Sequence, residues 1–357
     1  MKKIIIVLAL FLSILTLSAC EKKPTLHIYN WGNYLSQKVV KKFEKEFGVK
    51  VKQTPTFDTN ETAITMLQSN HTFDLAVPSD YAVEQLLSLG LIEKIDWTKI
   101  TVIDPTVDFD SHLKGLIDKI ALETNYDLLD YGVPYFWGNF GIMYNEDIVS
   151  EADLTGWDIM NKADKYKISL YDSSRDSMLM ALKNLGFSVN TEDESEIDAA
   201  INWLLEVKNK KVSFATDEIL DDMPNGKYDL AALYSGDAAY IMSIIIEEKI
   251  DINLKYYVPN EGTNIWVDAM VIPKGANQEL AYQFINFILR EEISYQNSIE
   301  MGYASPLATS LSRVVNEVPA LMKPMYELRV GPNDEIFRYS PKNKQLIDNA
   351  WLLVRTN

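Results

Sequence analysis

Apolar and polar residues alternate along Leu26-His27-Ile28-Tyr29-Asn30-Trp31 with the period of a strand, and Gly32-Asn33 breaks the run. Ser36 then suits the N-cap of a helix whose Val39, Val40, Phe43 and Phe47 recur at three- and four-residue spacing, with Gly48 at its C′ position. Val49-Lys50-Val51 starts a second strand. Asp58-Thr59-Asn60-Glu61 has capping-box spacing, with Asp58 in the cap role, before a helix through Leu67. A third strand is expected over 73–79 and a third helix over 80–89, closed by Gly90. Strand-helix alternation of this kind implies a mostly parallel sheet with helices on both faces, which binds ligands beyond the carboxyl ends of its strands. Trp31-Gly32-Asn33-Tyr34 and Ser79-Asp80-Tyr81 both sit at such ends.

Further along, Pro134-Tyr135-Phe136-Trp137-Gly138 leads into Phe140-Gly141-Ile142-Met143-Tyr144, read as a strand that carries the chain from one domain into the next. A second α/β region follows, with strands at Ile168-Ser169-Leu170-Tyr171 and Leu230-Ala231-Ala232-Leu233-Tyr234. Asp172-Ser173-Ser174-Arg175-Asp176 opens a helix running to Leu185, and 196–207 is an amphipathic helix. The apolar run 265–273 reads as a strand crossing back, one long helix is expected over 280–299, and a last one over 342–354. In the returning strand Trp266 and Asp268 share one face, because successive side chains alternate. An aromatic plane beside a carboxylate is a poor core and a good receptor for an organic ammonium, which the ring attracts and the carboxylate pairs.

A length of 357 residues suits two domains, and 47% hydrophobic content is ample for their cores. The formal net charge of −17 argues against nucleic acid as a partner and is compatible with a cationic ligand. At the N-terminus, Lys2 and Lys3 precede an uncharged apolar run from Ile4 to Leu17, too short for a spanning helix. It ends in Leu17-Ser18-Ala19-Cys20, a pattern that resembles a bacterial lipoprotein signal peptide of residues 1–19 cut before cysteine. That resemblance implies a lipid thioether on Cys20 and a protein tethered to the outer side of the cytoplasmic membrane. Cys20 is the only cysteine, so neither a disulfide nor a catalytic thiolate is expected in the mature fold.

Nothing in the sequence specifies an enzyme. Dinucleotide, Walker, zinc-protease and nucleophile-elbow motifs are absent, and His27, His71 and His112 lack ligand spacing, so no metal or cofactor is implied. Aromatic and acidic residues near loops are the better candidates: Trp31, Tyr34, Tyr81, Tyr234, Trp266 and Tyr303, with Asp176 and Asp268. Each also has an ordinary use. Trp31 and Tyr34 suit strand-end packing, Asp172 and Asp176 suit helix capping, and Tyr234 and Tyr303 suit a core with one satisfied hydroxyl.

Taken together, Leu26–Tyr34, Phe73–Tyr81, Pro134–Gly138, Asp172–Asp176, Trp266-Val267-Asp268 and Gly302-Tyr303-Ala304-Ser305-Pro306 resemble the spermidine/putrescine-binding proteins of polyamine ABC importers, in the same order over nearly the whole mature chain. The resemblance implies a periplasmic-binding-protein fold. Two α/β lobes, each a mostly parallel sheet flanked by helices, would be joined by crossover hinge strands, with lobe 1 at 24–136 plus 267–311 and lobe 2 at 137–266 plus 312–357. It implies that Trp31 and Tyr34 flank one end of the polyamine with Asn33 nearby, while Ser79 and Tyr81 line the first wall. Asp176 would pair an amine from the second lobe, with Ser173 and Thr216 lining the site. Tyr234 and Trp266 would sandwich the methylenes, Asp268 would bind an ammonium and Tyr303 would complete the aromatic box. The implied partners are a permease pair with its ATPase, and the protein would act as a monomer.

Family members can carry an acid where this chain has Ser173, Trp where it has Tyr234 and Glu where it has Asp176. Arg338 falls where a neutral amide is expected. One carboxylate fewer and one cation more would weaken binding of a third amine. Spermidine and putrescine therefore both stay open as ligands. So do the same fold binding another organic cation or small solute, an extracytoplasmic enzyme on a similar scaffold, and a signalling or adhesion lipoprotein.

Overall fold

The computed structural model describes residues 23–69, 72–124 and 126–356, so the expected signal peptide 1–19, Cys20 and His71 lie outside the described residues. Two sheets organise the chain. The first contains β1 (Thr25–Tyr29), β2 (Lys50–Lys52) and β3 (Leu75–Ala76) in the order β2-β1-β3, all parallel. The intervening helices Gln37–Phe47 and Asn60–Gln68 make the crossovers. Ser36 caps the first of these, its hydroxyl accepting from the Lys38 and Val39 N–H groups, and Gly48 ends it in the left-handed region at φ 67°.

The second sheet is mixed. Its path is β6-β5-β7-β4-β8, from β4 (Val133–Asn145), β5 (Ile168–Tyr171), β6 (Ser213–Ala215), β7 (Leu230–Tyr234) and β8 (Leu254–Tyr257). Strands β6, β5 and β7 are parallel, separated by helices; β4 and β8 run antiparallel to their neighbours.

Strand β4 is the structural spine. Its 13 residues are all buried. Val133 to Asn139 pairs antiparallel with β9 (Ile265–Met270), whereas Phe140 to Asn145 pairs with β7 and β8. Beyond β9, Val271 bridges Ala76 and Asp268 bridges Ser79, so the returning strand is stitched to the first sheet. Long β-branched and aromatic runs form strands buried on both faces, which explains why β4 shows no apolar-polar alternation.

Three local expectations need correction. The helix after β2 is capped by Thr59, whose hydroxyl accepts from the Thr62 N–H; Asp58 is not the cap. The expected third strand contracts to Leu75–Ala76, since its downstream residues feed directly into the helix Asp80–Ser88. The single helix expected over 280–299 is two, Gln278–Ile288 and Glu291–Met301, because Arg290 adopts an extended conformation and begins a second helix with Glu291 and Glu292 in its first turn.

Candidate ligand-binding site

Strands β5 and β7 are adjacent and parallel, and each runs at its carboxyl end into a helix with an aspartate in its first turn. From β5 the chain passes Ser173, the N-cap, into the helix Ser174–Asn184 carrying Asp176; from β7 it passes directly into Ser235–Glu248 carrying Asp237. The same strand ends supply Tyr171 and Tyr234, whose rings meet edge to face at 5.3 Å. A helix N-terminus favours anions, so these carboxylates sit where ionisation is helped although Asp176 is buried and Asp237 half-buried.

Opposite them stand β9 and the segment after Met301. Trp266 and Asp268 do share a face of β9, and both are buried. Gly138 on β4 makes this possible: a Cβ there would meet Trp266 Cζ2 at 2.6 Å. Gly236 does the same for Tyr303, whose ring would lie 2.1 Å from an added Cβ. The indole is edge to face with Tyr234 (6.0 Å, 88°) and Tyr303 (5.7 Å, 67°), and Tyr303 continues to Tyr34 at 4.9 Å. Tyr234 and Trp266 are thus perpendicular walls, not parallel plates.

Each acid in this group holds a tyrosine. The Tyr34 hydroxyl donates to Asp268 Oδ2 at 2.8 Å, that of Tyr234 to Asp176 Oδ1 at 2.8 Å, and that of Tyr303 to Asp237 Oδ1 at 2.6 Å. Burial pushes the Asp268 carboxyl up to about 7, opposed by the neighbouring Ser79 and Tyr34 hydroxyls. It pushes Asp237 to about 6 and raises Asp176. The same burial, reinforced by the adjoining carboxylates, keeps the three tyrosines neutral by raising their phenols well above the ordinary range. Two buried polar atoms here have no hydrogen-bond partner: Asp268 Oδ1 and Trp266 Nε1. A desolvated carboxylate oxygen left unpaired costs stability, and a cation with N–H donors is the group that would satisfy it.

A second group lies along the first sheet. Trp31 is half-buried, donates its indole N–H to Val77 O at 2.9 Å and packs on Phe57 at 4.6 Å. Asn60 brackets the loop: its Nδ2 donates to Ser79 Oγ at 3.0 Å and Tyr81 OH at 3.1 Å, while its Oδ1 accepts the Ser79 N–H. The Tyr81 ring is covered by the Arg175 guanidinium at 4.2 Å. The β-bridge between Ser79 and Asp268 joins this group to the first. Asn33 is exposed in a turn at φ 50°, and Thr216 is half-buried after β6, its N–H bonded to Glu218 Oε2.

Asp237, Asp80 and Asn60 belong to the site without being singled out by the sequence pattern. Asp237 was visible in Ser235-Gly236-Asp237 as an acid at a strand end, the signal that singled out Asp176. Asp80 is buried, accepts the Val267 and Tyr81 N–H groups, and is pushed to about 7 by burial; it pins β9 one residue before Asp268. Nothing local marks such a buried acid, nor does the sequence reveal that Asn60 reaches Ser79. Among the described residues no cluster of three metal-ligating side chains occurs, and no helix is long and apolar enough to cross a membrane.

Comparison with known proteins places these features. The family described as bacterial extracellular solute-binding protein matches residues 38–323. The spermidine/putrescine-binding periplasmic protein of Escherichia coli (strain K12) is 32% identical over 290 residues, covering 80% of this chain and 78% of that protein. The spermidine/putrescine ABC transporter substrate-binding protein PotD of Streptococcus pneumoniae superposes with a TM-score of 0.75 at 29% identity, over 94% of this chain and 99% of the other. The TpPotD lipoprotein of Treponema pallidum gives a TM-score of 0.79 at 25% identity, over 93% and 100%.

Proposed function

This chain belongs to the bacterial extracellular solute-binding protein family, and from that premise we propose that it captures a linear polyamine, spermidine or putrescine, and delivers it to an ABC permease with its ATPase. The observation that carries the reading is Asp268: a buried carboxylate with one oxygen unpartnered, set among Tyr34, Trp266 and Tyr303. A sugar would need fans of amide and hydroxyl donors, whereas an alkylammonium needs an anion for each nitrogen and apolar rings for its methylenes. Asp176, Asp237 and Asp268 would receive ammoniums, and Trp31, Tyr34, Tyr234, Trp266 and Tyr303 the carbon chain. Ser79, Tyr81, Ser173 and Thr216 would line the walls, with Asn33 at the rim. The spermidine/putrescine binding named for the E. coli relative supports the ligand class.

The protein performs no chemistry in this account; it closes on ligand as a monomer. Lobes of 24–136 plus 267–311 and 137–266 plus 312–357 hinge on β4 and β9, a division supported by the change of β4's partners at Phe140. Cys20 carries a lipid anchor that holds the protein at the outer side of the cell membrane, supported by the Leu17–Cys20 pattern and by the likeness to a treponemal lipoprotein. Calorimetric titration of the chain from Glu21 onward with putrescine, spermidine and glycine betaine tests the reading. Low-micromolar or tighter binding of a polyamine is expected. Binding of betaine alone, or of none of the three, would overturn it.

A further inference from the structure

Residues 331–340, between the helices Lys323–Tyr326 and Pro341–Thr356, run across both lobes, and their attachments to the two differ in kind. On the second-lobe side the hold is a dense set of short hydrogen bonds from backbone and side chains: Glu335 N–H donates to Thr263 O at 2.9 Å, Ile265 N–H to Glu335 O at 2.9 Å, Thr263 N–H to Asp334 Oδ1 at 3.0 Å, Val189 N–H to Glu335 Oε2 at 2.8 Å and Arg338 N–H to Asn190 Oδ1 at 2.8 Å. The buried Lys183 ammonium adds an ion pair to Glu335 at 3.0 Å. On the first-lobe side the hold comes almost wholly from charged side chains. Arg338 faces Glu84 (Nε–Oε2 3.7 Å) and Glu123 (Nη1–Oε2 3.7 Å), and Glu84 also accepts the Tyr339 N–H at 2.9 Å. The segment reaches the site through Phe337, which packs edge to face with Tyr81 at 6.2 Å while Arg175 lies over both rings.

We propose that Arg338 is a latch. Permanently fixed to the second lobe, the segment engages the first only when the lobes are together, and the Glu84–Arg338–Glu123 triplet sets how long they stay so. This is a positioning role, not a ligand contact: the guanidinium is directed at two glutamates of the first lobe. Arg338 Nε is buried without a hydrogen-bond partner, so the triplet acts through charge at 3.7 Å and opens without breaking a tight fork. The inference assumes the two-lobe capture reading above, yet part of its consequence is visible without ligand.

The test pairs Arg338→Lys, which keeps the charge, with Arg338→Met, which keeps much of the packing, and adds Glu84→Gln from the other side. The only cysteine precedes the described residues, so a chain from Lys23 carrying Lys41→Cys and Asn202→Cys takes donor and acceptor dyes at those two sites alone. Energy transfer in the ligand-free protein and stopped-flow dissociation of putrescine are the readouts, with thermal unfolding to establish that each variant is folded. Arg338→Met and Glu84→Gln are expected to lower the transfer and to speed dissociation roughly five- to tenfold, with Arg338→Lys close to the parent. Transfer unchanged in Arg338→Met, or Arg338→Lys as impaired as Arg338→Met, overturns the latch. A parent that binds no polyamine contradicts the capture reading, and the ligand-free transfer still decides the latch.

Discussion

At the scale of residues, the site is built from one repeated unit, a largely desolvated aspartate bonded to a tyrosine hydroxyl, and the energetics of that unit are testable. Asp268→Asn removes the anion while keeping size, and should weaken polyamine binding by about 2–4 kcal/mol, the range for unpairing a buried charge; titration showing affinity within threefold of the parent would take Asp268 out of the site. Trp266→Ala should cost about 2 kcal/mol or more in the same titration through lost ring-cation and apolar contact. The acids also leave a signature in stability. Asp268 and Asp80 are held at about 7 and Asp237 at about 6 by burial. In the unfolded chain these carboxyls titrate near ~4, so the native state binds more protons between about pH 4 and 7. Their contribution to stability is therefore fullest below pH 4 and is lost as pH rises through 6 and 7. Ligand-free protein melted between pH 5 and 8 should show Tm falling with rising pH, and Asp268→Asn should flatten that slope. Most of this unit was legible: Trp266 and Asp268 from strand alternation, Asp176 from its place after a strand. Its tyrosine partners could be suspected but not paired, because hydroxyl-to-carboxylate contacts join residues as distant as Tyr34 and Asp268.

Elements decide where those residues can meet. Two neighbouring parallel strands deliver Asp176 and Asp237 to the same end of the second sheet, and β9, pinned to β4, delivers Trp266 and Asp268. Two glycines set the clearances. Gly236→Ala would push the Tyr303 ring off the first turn of Ser235–Glu248 and break its bond to Asp237. The expected result is a stability loss of about 1–3 kcal/mol and polyamine affinity reduced by roughly tenfold or more, read by chemical unfolding and titration. An unchanged affinity would show that Tyr303 does not meet the ligand. Strands and helices with a clear period were readable from the sequence, as were the Ser36 and Gly48 caps. The failures have physical causes: Asp58 and Thr59 compete for one cap, and the apolar period runs through Leu289 and Arg290, hiding a break made by backbone conformation. The mixed order of the second sheet is a matter of topology, which local pattern does not encode.

In the whole molecule, two lobes meet around a site of like-charged, desolvated carboxylates. Acids kept partly protonated by burial are a cost that only a cation can relieve, so ligand capture and deprotonation are one event. The overall architecture was readable early, from β-α alternation and a central aromatic strand; the cross-lobe segment 331–340 was not, since its role depends on contacts between distant parts of the chain. The most direct measurement is calorimetric titration with putrescine at pH 6.5 in two buffers, phosphate and imidazole, whose protonation enthalpies differ widely. A polyamine that draws Asp176, Asp237 and Asp268 into ionisation must release protons, on the order of one per ligand, and binding should be more exothermic in imidazole than in phosphate. Identical heats in the two buffers, or proton uptake, would contradict the claim that these buried aspartates receive the ligand's ammonium groups.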